Sequence, residues 1–214
     1  MSRLQVAIVD YGMGNLRSVA NAFKAVAPSI SVAVTSDPEQ IGQAERVVFP
    51  GQGAMPDCIR ELDARHLRQA VVDATQQKPF LGICIGLQML FEHSEEGDVP
   101  GLGVYRGEVK RFPADKMHDE QGAKLKVPHM GWSQVHQTQA HALWSEIPDL
   151  ARFYYVHSYY VAPEEAALTA ATTAYPFDYT GAIARDNVFA VQFHPEKSAN
   201  AGLQLLRNFV NWKP

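Results

Sequence analysis

A single cysteine lies between two glycines in the segment PFLGICIGLQML at 79–90. Cys84 follows an apolar run typical of a buried strand and precedes a helical pattern, so Gly82 and Gly86 flank a nucleophile on a sharp strand-to-helix turn. A Cβ at either glycine would obstruct that turn. Unpaired N–H groups at the start of the following helix favour a thiolate, the reactive form of cysteine. A buried structural thiol is the alternative, and Cys58, without glycine neighbours, is interpreted as one.

A histidine and a glutamate stand two residues apart near the end of the chain. His194 follows the apolar run 188–193, and Glu196 is the next residue but one. Positions i and i+2 of an extended chain face the same side, so Glu196 is expected to accept a hydrogen bond from one imidazole nitrogen. The other nitrogen is then free to take the Cys84 proton. An isolated His-x-Glu more simply marks a surface strand end, but the cysteine elbow favours a catalytic triad.

Acyl transfer also needs donors for the developing oxyanion. The backbone N–H of Ile85, directly after the nucleophile, is one expected donor. The second is expected at Gln52, in the turn 50–53, where two glycines allow the backbone to approach a substrate closely. A turn without function is the alternative.

Other chemistries have weaker signals. Gly12 and Gly14 follow the first strand, but Arg17 occupies the third glycine position of a dinucleotide fingerprint, and no P-loop motif occurs. No metal and no cofactor are expected, because the remaining histidines lack helical i, i+4 pairing or cysteine neighbours. Those histidines are His66, His93, His118, His129, His136, His141 and His157.

The order of elements must place these side chains together. Alternating strand and helix patterns predict an α/β fold with a doubly wound, mostly parallel sheet, and short strands after residue 101 predict an antiparallel C-terminal portion. One domain over 1–214 is expected, since no linker or repeat divides the chain. The strands are expected at 6–9, 30–34, 46–49, 79–83, 103–112, 131–135, 152–161, 167–173, 180–185 and 188–193. The helices are expected at 16–27, 56–76, 85–93 and 202–212.

Composition bounds the partners. The chain has 214 residues, a net charge of -4 and two cysteines. This charge provides no field for nucleic acid or an anionic membrane, and no run approaches the roughly 18 apolar residues of a membrane helix. Two cysteines are too few for a disulfide scaffold, and the start of the chain does not resemble a signal peptide, so a cytoplasmic location is expected.

Four separated motifs resemble class I glutamine amidotransferases, and more narrowly the glutaminase subunits of imidazole glycerol phosphate synthases. They are DYGMGNL at 10–16, PHMGW at 128–132, YVHSY at 155–159 and QFHPEKS at 192–198. The resemblance implies that Cys84 attacks the side-chain amide of L-glutamine and that His194 protonates the departing ammonia. It also implies a heterodimer with a (β/α)8-barrel cyclase subunit, which uses the ammonia in histidine biosynthesis.

The resemblance extends to binding residues. It implies that Gly53, Gln88, His157 and Ser158 bind glutamine. It implies further that five residues face the cyclase, namely Asn15, Met130, Trp132, Tyr154 and Lys197.

Several alternatives remain at this point. Gln88 can be a packed helix residue, and Met130 and Trp132 are equally well explained as core residues. Another class I glutaminase, or a catalytically silent module that regulates a barrel enzyme, are the competing functions.

Overall fold

A parallel sheet forms the first half of the chain in the computed structural model, which describes residues 5–118 and 121–214. Its strands read as continuous apolar runs because helices cover both faces. In chain order the elements are β1 (Val6–Val9), α1 (Leu16–Val26), β2 (Val32–Thr35), α2 (Pro38–Gln43), β3 (Arg46–Gly51), α3 (Met55–Ala64), α4 (Arg68–Gln77), β4 (Phe80–Cys84) and α5 (Ile85–Gln88).

The second half is richer in strands and mostly antiparallel. Its elements are β5 (Phe91–Ser94), β6 (Val99–Pro100), β7 (Tyr105–Arg111), β8 (His129–Gln134), β9 (His136–Gln137), β10 (Arg152–His157), β11 (Tyr159–Pro163), β12 (Thr169–Ala174), β13 (Asp178–Arg185), β14 (Val188–Val191) and α6 (Ala199–Asn211). Short 3-10 turns lie at Ala142–Trp144, Ala166–Leu168 and Pro195–Lys197.

The main sheet has the order β2-β1-β3-β4-β14-β13-β11-β7-β5-β6, with β12 beside β13 and β9 beside β12. β8 and β10 form a separate antiparallel pair. The chain steps from β1 to β2 in one direction and from β2 to β3 in the other, so right-handed crossovers place α1 and α2 on opposite faces. α1 packs against α6, and α2 packs against α4. The predicted fold class is confirmed.

The strand order explains how distant residues meet. β4 lies between β3 and β14, and all three run parallel. Their carboxyl ends therefore lie side by side, where open α/β sheets bind ligands. β3 ends at Gly51, β4 ends at Cys84 and β14 ends at Val191. The elbow cysteine, the turn 50–53 and the His194 segment thus reach the same edge of the sheet.

The single helix predicted over 56–76 is wrong, because the segment forms α3 and α4. His66 separates the two helices with a φ of +57°, in the left-handed region that a helix cannot contain. The apolar spacing continues across this break, since Leu62 and Leu67 are both fully buried. Periodicity alone therefore does not reveal it.

Two further predicted elements are wrong in kind or in number. The helix expected over 85–93 ends at Gln88, and the next apolar stretch becomes β5, because β6 and β7 supply its strand partners. The strand expected over 152–161 is two strands separated at Ser158. β10 pairs with β8, whereas β11 pairs with β7 and β13.

Within the residues that the structure describes, no helix combines the length and the apolar character needed to cross a membrane.

Candidate active site

Cys84 lies on a strained elbow at the end of β4. Its backbone has φ +56° and ψ -113°, a conformation that costs a non-glycine residue about 1–3 kcal/mol and is typical of functional turns. A Cβ at Gly86 would overlap the carbonyl oxygen of Phe49, and a Cβ at Gly82 would lie 2.8 Å from that of Ala190. The flanking glycines are therefore required by close packing against the neighbouring strands β3 and β14.

The helix after the elbow is shorter than the sequence suggested. α5 contains four residues, so its macrodipole is weaker than that of the nine-residue helix expected over 85–93. Stabilisation of a Cys84 thiolate must therefore come mainly from neighbouring side chains.

His194 and Glu196 form the expected contact. The Nδ1 atom of His194 lies 2.9 Å from Oε1 of Glu196, and the two side chains are only 5% and 2% exposed. The geometry differs from the extended chain expected from the sequence, because β14 ends at Val191 and a 3-10 turn begins at Pro195. The turn brings the carboxylate back onto the imidazole ring.

The second ring nitrogen of His194 is left for Cys84. Among the described residues Nε2 has no hydrogen-bond partner of regular geometry. Burial disfavours a charged imidazole, but the Cys84 sulfur and the Glu196 carboxylate outweigh it and raise the pKa of His194 to about 10. At neutral pH the imidazole is therefore protonated and faces the Cys84 sulfur, an arrangement in which the sulfur can attack a carbonyl carbon and the imidazole can then protonate a leaving group.

A cavity of about 230 Å³ opens in front of Cys84 and His194. The two residues expected at the oxyanion hole, Gln52 and Ile85, contribute to its wall. The four residues expected to bind glutamine, Gly53, Gln88, His157 and Ser158, also line it. The lining residues that the sequence did not single out are Glu96, Pro128, Val156 and Tyr159.

Gln88 is buried, and its amide nitrogen is committed within the protein. Nε2 donates to the carbonyl oxygen of Tyr159 at 3.0 Å and to Oε1 of Gln192 at 2.9 Å. An amide nitrogen carries two hydrogens, so these contacts use both. Gln88 can therefore offer a ligand only its Oε1 atom, which accepts a hydrogen bond.

His157 forms a wall of the cavity. Nδ1 lies 2.8 Å from the carbonyl oxygen of Tyr159, and Nε2 lies 3.2 Å from Nδ1 of His129 and 3.1 Å from the Tyr179 hydroxyl. Because a carbonyl oxygen only accepts, Nδ1 must carry the proton. Burial lowers the pKa of His157 to about 3, so the ring stays neutral and shapes the pocket without contributing charge.

Glu96 is the acidic side chain of the cavity wall. One carboxylate oxygen accepts a hydrogen bond from the backbone N–H of Met55, at the start of α3, at 2.9 Å. Burial raises the pKa of Glu96. Its position in the short loop after β5 depends on pairing between distant strands, so no local pattern indicates it.

Cys58 is fully buried, in agreement with its interpretation as a packing residue. Its sulfur also donates to the carbonyl oxygen of Gln52 at 3.7 Å. Burial raises the pKa of Cys58 to about 11, so it retains the proton for this contact. The thiol therefore supports the turn that carries the expected oxyanion donor.

The residues expected at a partner interface include two exposed apolar side chains. Met130 is 62% exposed and Trp132 is 44% exposed, so the interpretation of both as core residues is wrong. Trp132 is the register partner of Tyr154, and their rings lie 6.1 Å apart. Asn15 is exposed and Lys197 is half-buried.

Tyr154, the register partner of Trp132, is hydrogen-bonded to the His194 segment. The backbone N–H of His194 donates to the carbonyl oxygen of Tyr154 at 2.9 Å. The backbone N–H of Tyr154 donates to Oγ of Ser198 at 2.9 Å, and that hydroxyl donates to the carbonyl oxygen of His194 at 2.6 Å. A displacement of β10 would therefore be transmitted to the imidazole.

Comparisons with known proteins identify the family. A family model described as glutamine amidotransferase class-I matches residues 7–212. The imidazole glycerol phosphate synthase subunit HisH of Nitrosospira multiformis is 66% identical to this chain, covering 98% of both chains. The subunit of the same name from Aromatoleum aromaticum is 65% identical, covering 98% of this chain and 99% of its own.

A solved glutamine amidotransferase from Thermotoga maritima has a similar fold. It superimposes with a TM-score of 0.63 at 18% identity, covering 94% of this chain and 80% of that structure. At this identity the likeness supports the fold alone.

Proposed function

This chain belongs to the class I glutamine amidotransferases, and we propose that it is the glutaminase subunit of an imidazole glycerol phosphate synthase, releasing ammonia from L-glutamine for a cyclase subunit. The reaction type rests on one observation: Cys84 and His194, with Glu196 bonded to the imidazole, line a single cavity. The assignment to this particular synthase rests on the two relatives, which are 66% and 65% identical to the chain over 98% of its length.

The first half of the reaction forms a thioester. The thiolate of Cys84 attacks the side-chain amide carbon of glutamine, and the carbonyl oxygen becomes an oxyanion. We assign the stabilising donors to the backbone N–H groups of Ile85 and Gln52, each worth about 3 kcal/mol in such sites. His194 then transfers its proton to the amide nitrogen, the C–N bond breaks, and ammonia leaves.

The second half regenerates the enzyme. His194, now neutral, removes a proton from water, and the resulting hydroxide attacks the thioester carbon. The C–S bond breaks, glutamate leaves, and the thiolate faces a protonated imidazole again. Glu196 does not exchange a proton in either half; it holds the ring and stabilises its charged form.

Substrate recognition is assigned to complementary charge in the cavity wall. Glu96 supplies a counter-charge for the α-ammonium group of glutamine, and Oε1 of Gln88 accepts from an N–H donor of the substrate. Gly53, His157 and Ser158 complete the wall. Glycine at position 53, with a φ of +115°, lets the backbone approach the substrate closely.

The partner surface is assigned to Asn15, Met130, Trp132, Tyr154 and Lys197. Exposed Trp and Met side chains are typical anchors of protein interfaces. Free ammonia becomes largely ammonium in neutral water, so direct docking to the consumer protects its nucleophilicity. We place this heterodimer in the cytoplasm, where Cys84 remains reduced, and treat residues 1–214 as one amidotransferase domain.

The decisive experiment measures glutamate release with and without the purified cyclase subunit. Release that increases with the cyclase and disappears in Cys84→Ala supports the proposal. Unchanged release in Cys84→Ala rejects the assigned nucleophile, and cyclase binding without any release identifies a silent regulatory module instead.

A further inference from the structure

A buried chain of two glutamine side chains leads to the nucleophile. Gln88 is 2% exposed and Gln192 is fully buried. Nε2 of Gln88 donates to Oε1 of Gln192 at 2.9 Å, and Nε2 of Gln192 donates to the Cys84 sulfur at 3.7 Å. Gln192 lies directly after β14 and is anchored by its backbone N–H, which donates to the carbonyl oxygen of Gly181 at 2.9 Å.

A backbone carbonyl determines the orientation of both side-chain amides. The carbonyl oxygen of Tyr159 can only accept, so the Gln88 atom that contacts it must be the amide nitrogen. That nitrogen then donates its second hydrogen to Gln192, which must present its oxygen. The remaining Gln192 atom, which faces Cys84, is therefore its NH₂ group.

We propose that Gln192 is a further catalytic residue, whose side-chain N–H donates to the Cys84 sulfur, stabilises the thiolate and holds the sulfur toward the cavity. The inference rests on the proposed glutaminase function. A neutral amide cannot lose its proton to the sulfur, so this donor is present whenever Cys84 is the free thiolate, both before the attack and as the C–S bond breaks. It complements the imidazolium, which must give up its proton to the leaving group within the same cycle.

Two substitutions separate the donor from the packing. Gln192→Met keeps the length of the side chain and removes both hydrogen-bonding groups. Gln192→Glu keeps an acceptor for Gln88 but replaces the donor with a carboxylate, which ionises before a thiol and repels the thiolate. The matched control is Gln137→Met, because the Gln137 amide likewise donates hydrogen bonds within the protein, to the carbonyl oxygens of Ile147 and Pro148, and does not line the cavity.

The readout is the pH dependence of Cys84 alkylation by iodoacetamide, with the modified cysteine identified by mass spectrometry. Loss of a hydrogen bond to a charged group predicts that the midpoint of the profile rises by about one pH unit in Gln192→Met. We expect a larger rise in Gln192→Glu and none in Gln137→Met. In turnover with the cyclase, Gln192→Met should lose about tenfold, mostly in kcat.

Alkylation requires neither glutamine nor the cyclase, so it tests this inference separately from the proposed function. An unchanged midpoint in both Gln192 variants overturns the inference even if wild-type glutaminase activity is found. If the midpoint is raised in the Gln192 variants but the wild-type protein releases no glutamate with the cyclase, the inference stands and the proposed function is overturned. If Gln192→Met loses the fold by circular dichroism, Gln192→Glu, which keeps the Gln88 contact, decides the result.

Discussion

Replacement of Glu196 by alanine or glutamine tests whether the carboxylate orients the base without making a bond to substrate. The contact with His194 spans 2.9 Å between side chains that are almost fully buried. Hydrogen bonds to charged groups contribute about 1.5–3 kcal/mol, so removing this one should lower kcat by about 10- to 150-fold. Cys84→Ala removes the nucleophile itself and should lose far more.

The pH profile provides an independent measurement. Because Glu196 contributes to the raised pKa of His194, Glu196→Gln should lower that pKa from about 10. The protonated imidazole is lost as pH rises through its pKa, so the alkaline limb of kcat/KM should move to lower pH in the variant.

The assay is glutamate release with saturating cyclase across the range from pH 6.5 to 10. Glu165→Gln is the matched control, since its salt bridge to Arg185 is partly exposed and neither residue lines the cavity. The orienting role would be refuted if Glu196→Ala lost as much activity as Cys84→Ala. It would also be refuted if the alkaline limb did not move in Glu196→Gln.

Three further perturbations test the packing, the partner surface and the acid response. Gly86→Ala should prevent folding of the elbow, because the added Cβ overlaps a carbonyl oxygen of β3. Gly42→Ala is the control: the space around Gly42 in α2 is open, so this change should raise the unfolding free energy by about 0.5–1 kcal/mol in urea titrations. Equal effects of the two substitutions would contradict the contact at Gly86. Trp132→Ala should weaken cyclase binding at least about tenfold in calorimetry without loss of stability. Val34 is similarly exposed, and Val34→Ala should leave binding unchanged. Equal weakening by both substitutions would contradict an interface at β8. Burial lowers the pKa of His141 from 6.5 to about 4. The contribution of this histidine to folding stability is therefore fully present above pH 6.5 and is lost as pH falls toward 4. His141→Asn should remove that loss, which is at most about 3 kcal/mol for a shift of this size and smaller for a ring that remains partly in contact with solvent. An unchanged acid dependence would show that this histidine is not neutral in the folded state.

Local sequence was sufficient for the reactive elements. A glycine-flanked cysteine after an apolar strand can adopt a sharp turn, because Gly82 and Gly86 leave room that other residues would fill. His194 and Glu196 are close in the chain, so their contact follows from short-range geometry even though the turn is 3-10 and not extended. Strand and helix alternation likewise determined the sheet class, since each periodicity is a local property.

Only the tertiary structure decided which distant groups meet. The insertion of β4 between β3 and β14 brings Cys84 beside the His194 segment, and no residue within one strand encodes that order. The pairing of β14 with β4 also brings Gln192 to the Cys84 sulfur. Glu96 reaches the cavity from the loop after β5, a strand that pairs with β6 and β7, and no local pattern indicates this. Phe91 in β5 and Met130 in β8 are both large apolar strand residues, yet Phe91 is buried and Met130 is exposed, because burial depends on whether another element covers that face.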